Sequence, residues 1–124
     1  MGMDLIGPGR FFQWNIRCWC NVLELGERYG WKSTGTGPPP GRRASEWTGR
    51  IREASYGSND GARFYARDAK ALADALSKAL RDIPEKELPP GKEPKTPLEF
   101  FAGRGRPELR RFIRFCRKGS FRIY

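Results

Sequence analysis

The sequence contains no histidine. Ser-His-Asp and Cys-His nucleophile pairs are excluded with it, as are His-ligated metals. Cysteine is scarce: Cys18, Cys20 and Cys116 are an odd number with no Cys-x-x-Cys spacing. A disulfide framework is not expected, and three thiols fall short of the four ligands that structural zinc wants. Long apolar runs are also missing. Nothing approaches the roughly 20 residues of a membrane-spanning helix. Met1 to Arg10 lacks the apolar stretch of a secretory signal, and Ile6 stands where a myristoylation motif needs Ser or Thr. The expected setting is the cytoplasm, with reduced thiols and no membrane partner. Negative charge is in short supply: 14 Asp and Glu face 24 Lys and Arg, for a net charge of +10.

A chain of 124 residues is enough for one domain and too little for two ordinary ones. Apolar residues make up only 38% of it, so the core must lean on large side chains, and the 13% of aromatics supply them. The positive balance points to an anionic partner: nucleic acid, a membrane surface or an acidic protein face. Arginine outnumbers lysine 17 to 7, a ratio that a GC-rich genome also produces without selection for binding.

Hydrophobic spacing orders the elements. Phe12, Trp14, Ile16, Cys18 and Cys20 alternate, which predicts a strand with one buried face at least through Ile16. A helix is expected from near Trp19, with Val22, Leu23 and Gly26 on its stripe and Gly30 just beyond its end. Three successive prolines make residues 33–43 a loop. Trp47 to Tyr56 reads as a weak strand. Asn59-Asp60-Gly61 would turn it into a second strand carrying Ala62, Phe64 and Ala66. From about Arg67 to Asp82, Ala69, Leu72, Ala73, Leu76 and Leu80 keep helical spacing, and Pro84 stops the helix. Residues 84–97 hold five of the ten prolines and read as a surface connection within a single domain spanning residues 1–124. A turn of helix over Leu98–Ala102, a helix from Pro107 to Gly119 and a short strand with Phe121 and Ile123 follow. The expected fold is α+β: a small antiparallel sheet with about three helices packed on one face.

Catalytic motifs are hard to find. Gly35-Thr36-Gly37 lacks the Lys-Ser/Thr and the helix start that a phosphate-binding loop requires. Asp60 and Asp68 are a formal carboxylate pair, but a turn residue and a helix-start residue account for them. No calcium loop is present. No catalytic residue, metal site or cofactor is expected, and the chain reads as a non-enzyme.

Several phrases form a recurring pattern: Trp19-x-x-Val22-Leu23-Glu24-Leu25-x-x-x-Tyr29-Gly30-Trp31 with Gly35-Thr36, then Asn59-Asp60-Gly61. Asp68-Ala69-x-x-Leu72-Ala73-x-Ala75-Leu76 and Phe112-Ile113-x-Phe115-Cys116 complete it. This resembles small uncharacterised bacterial proteins. The resemblance covers most of the chain in patches. It implies a bacterial source and a single domain, and it assigns no activity.

The strongest signal is the last twenty-one residues. Arg104, Arg106, Arg110, Arg111, Arg114, Arg117, Lys118 and Arg122 face Glu108 alone, which places seven of the ten net positive charges there. Guanidinium groups bind carboxylate or phosphate with two parallel hydrogen bonds. The expectation is a non-catalytic binding module, an adaptor, inhibitor or immunity-type component of a complex, docking this basic face on an acidic protein. The alternative is a nucleic-acid-binding accessory protein that uses the same arginines, with Phe115 or Tyr124 to stack a base.

Overall fold

The computed structural model describes residues 2–47 and 56–124. It opens with a hairpin of β1 (Gly2–Gly7) and β2 (Arg10–Asn15). Only the second of these strands was expected from the spacing. Pro8 and Gly9 form the turn: proline presets the first central position, and Gly9 takes φ +64, which a side chain would resist. Met3, Leu5, Phe12 and Trp14 point inward and are buried, while Ile6 and Phe11 point outward.

Helix α1 (Ile16–Arg28) follows without a loop and starts earlier than the alternation implied. The cause is Asn15, whose side-chain oxygen accepts the Cys18 N–H at 2.7 Å and so satisfies an orphan donor of the first turn. At the other end Trp31 N–H reaches back to Gly26 O at 2.9 Å, across Gly30 with φ +98.

The sheet has the order β2-β1-β4-β3, with every neighbouring pair antiparallel. β3 (Ala62–Phe64) and β4 (Phe121–Ile123) are short and alternate in-out-in. Much of the weak strand expected over Trp47 to Tyr56 lies outside the described residues. The partners that β3 shows are β4 and, on its other side, Gly37, which exchanges two backbone hydrogen bonds with Arg63.

Helix α2 (Ala66–Ala79) runs into a 3-10 turn, Leu80–Asp82, close to the expected span. Residues 83–96 carry no regular structure and are mostly exposed, as a proline-rich connection should be. Thr96 caps the single-turn helix α3 (Pro97–Phe100), and α4 (Gly105–Arg117) begins just before Pro107 and ends ahead of Gly119. The helices cover one face of the sheet. Between them lies an aromatic core in which Phe12 and Trp14 meet Phe112, and Phe64 stacks on Phe121 at 4.7 Å. Such ring pairs add about 0.5–1.5 kcal/mol each beyond the area they bury.

Candidate docking site on the C-terminal helix

Helix α4 is amphipathic because Leu109, Phe112, Ile113 and Cys116 recur at helical spacing and are buried. That orientation forces the intervening residues outward. Arg110, Arg114 and Arg117 form one exposed stripe, with Arg111 and Lys118 one step around the helix. Five of the eight expected cations therefore share one surface. Arg104 is exposed as well, one residue before the helix begins, and its Nε lies 2.7 Å from Glu87.

The other two point elsewhere. Arg106 donates to Leu80 O at 2.8 Å and Ile83 O at 2.6 Å, closing the free carbonyls where α2 ends. Arg122 lies on the opposite side of the molecule, on β4, and donates to Gly61 O at 3.0 Å. Both are half-buried and serve backbone carbonyls.

Two members of the helical face have carboxylate partners. Arg111 meets Glu108 at 2.7 Å, and Arg117 meets Asp74 of α2 at 2.9 Å while also reaching Ser77. These pairs are solvent-exposed, worth about 0–1 kcal/mol, and a better-placed partner can compete for either arginine. No ion pair engages Arg110, Arg114 or Lys118 among the described residues. Phe115 is buried, against Phe12 and Phe121, and is closed to any base. Tyr124 is exposed, next to β4 rather than beside the helix.

Sequence reasoning missed an arginine that shapes this helix. Arg10 of β2 turns inward, and its guanidinium donates to Phe115 O, Gly119 O and Ser120 O, the last two at 2.7 and 2.8 Å. It also lies 4.7 Å from the Phe115 ring centre. A cation at a helix C-terminus is favoured by the dipole and by the unsatisfied carbonyls. A Cβ on Gly7 opposite would sit 2.3 Å from the same guanidinium, so a side chain there would push Arg10 away from these carbonyls.

The alternative chemistries find no assembly. Asp60 is exposed in its turn. Asp68 is buried and accepts hydrogen bonds from Tyr56, Thr34 and Trp31, and burial pushes its carboxyl above the usual carboxylate range. It ties the loop after α1 to the start of α2. Thr36 is buried too and accepts from the Trp47 indole, so Gly35-Thr36-Gly37 is packed structure. Cys20 is exposed, Cys18 half-buried and Cys116 buried, all with free thiols. Burial raises the Cys116 thiol far above its ordinary value and makes it unreactive. No cluster of metal-ligating side chains occurs among the described residues, and no helix there is long and apolar enough to cross a membrane. Comparison with protein-family models, with curated proteins and with solved structures finds no match.

Proposed function

We propose that the chain is a cytoplasmic, non-catalytic binding module that docks the outer face of α4 on an acidic surface of a protein partner. The carrying observation is the placement of Arg110, Arg111, Arg114, Arg117 and Lys118 on one exposed helix face, three of them without a carboxylate partner among the described residues. A face of cations on a rigid, packed helix needs little ordering to bind. Its i, i+4, i+7 spacing also suits carboxylates presented by another helix or strand. Phe115 is buried, so the face offers cations without the aromatic surface on which a single strand would stack, and this favours protein over nucleic acid at α4.

The test compares two versions of the immobilised chain in a lysate of its native cells. The wild type should retain one stoichiometric acidic protein, and the complex should weaken as salt is raised. The variant Arg110→Glu, Arg114→Glu, Lys118→Glu should lose that protein while remaining folded and no less stable, because none of the three side chains bridges to a carboxylate among the described residues. Equal capture by both versions would refute the site.

A further inference from the structure

Large apolar side chains are exposed at four described positions: Ile6, Phe11, Tyr65 and Tyr124, with Phe11 at 60%. All four lie on the face of the sheet that the helices leave open. The strand register puts Phe11, Ile6, Arg122 and Arg63 in one row across the four strands. Tyr124 lies in the next row, its N–H bonded to Asp4 O, and Gly61 gives its ring room, since a Cβ there would sit 3.1 Å from it. Tyr65 follows Arg63 on the other side of that row, its hydroxyl over Gly37. A patch that gathers every large exposed apolar group in the described chain is not the scattered exposure of an ordinary surface.

We infer that this open face of the sheet is a stacking platform for single-stranded nucleic acid. Aromatic rings and guanidinium groups are interleaved on it, which is the combination that a strand of unpaired bases and phosphates requires. Arg63 is exposed and bridges to no carboxylate among the described residues, and Arg122 is held across the sheet by Gly61 O and Pro38 O. A shallow recess of about 240 Å³ opens beside Ile6 and these two arginines, large enough for a phosphate. Next to Tyr124, Asp4 and Gln13 are joined by a 2.9 Å hydrogen bond and offer acceptor and donor groups to base edges. The other occupants fit less well. A second copy would bring a net charge of +10 against another +10. In a duplex the base faces are already stacked on one another and closed to the rings. This inference rests on other observations than the α4 docking site, and the two surfaces meet only at the β2 edge, where Arg111 shares a recess with Phe11 and Gln13.

The experiment is fluorescence anisotropy with labelled mixed-sequence oligonucleotides of about a dozen nucleotides, as RNA, as DNA and as the DNA duplex. Single strands should bind at low salt, with affinity falling as salt rises, and the duplex should bind at least about tenfold more weakly. Phe11→Ala and Tyr124→Ala should each weaken single-strand binding roughly five- to hundred-fold, the range for losing one stacked base. Both side chains are exposed, so melting temperatures should hold. Arg63→Gln should flatten the salt dependence. Tyr124→Ala, away from α4, should still capture the acidic protein through that helix, so that failure of either site shows separately. Absence of single-strand binding, equal affinity for the duplex, or full binding after removal of the rings would each overturn the inference.

Discussion

A carboxyl group under the first turn of α2 sets a pH response for the whole chain. Burial raises Asp68, so the native state holds this proton more tightly than the unfolded chain does. The associated stability is fully present below the ordinary carboxylate range and is lost as pH rises through the elevated native value. Wild-type urea midpoints should therefore decline across that window relative to Asp68→Asn. The variant should be less stable by about 1–3 kcal/mol in acid, because the amide brings two N–H donors where the protonated carboxyl has one, and sets a donor against Tyr56, Thr34 or Trp31. The gap between the two should be widest in acid and shrink toward neutral pH. Parallel curves would show that Asp68 titrates alike in both states. Arginine tells a second story at this scale. Arg10 and Arg106 each close the end of a helix that is distant in sequence, and nothing in their local pattern separates them from the solvent-facing Arg110 and Arg114.

Among the elements, the crossing of α1 and α2 depends on an absent side chain. A Cβ on Gly26 would lie 2.3 Å from a Leu72 methyl that is itself fully buried. Gly26→Ala should thus destabilise by about 1–3 kcal/mol in chemical unfolding, despite alanine's better helix propensity. A stabilised variant would mean that Leu72 has room to turn away. Helices α2 and α4 were legible because several consecutive turns repeat the same apolar spacing. The strand β1 was not, since only Met3 and Leu5 mark its inner face and Gly2, Gly7, Pro8 and Gly9 dilute the signal. One neighbour of β3 was equally hidden: Phe64 pairs with Phe121, far along the chain, whereas the first strand of the expected hairpin lies mostly outside the described residues. As for the candidate sites, the arginine stripe on α4 follows directly from its 3.6-residue period. The patch on the sheet needs the register of four strands, and no single segment carries that.

At the scale of the molecule, one sign of charge dominates. With a net charge of +10 and, among the described residues, few ion pairs, all of them on the surface, the folded state repels itself. Moderate salt should raise the melting temperature, because screening relieves more repulsion than attraction. Replacing Arg110, Arg114 and Lys118 by Glu should raise it at low salt and reduce its dependence on salt. A wild-type melting temperature that falls with salt would show instead that the surface pairs matter more than the net charge.

The seam between β1 and β4, where Leu5 meets Ile123, has a consequence during synthesis. The hairpin of β1 and β2 leaves the ribosome well before its neighbour in the sheet, which is translated more than a hundred residues later, on the order of ten seconds at cellular elongation rates. Throughout that interval Phe12 and Trp14 lack the Phe112 ring that they meet in the folded chain. The hairpin must wait, and the sheet cannot close until β4 has emerged.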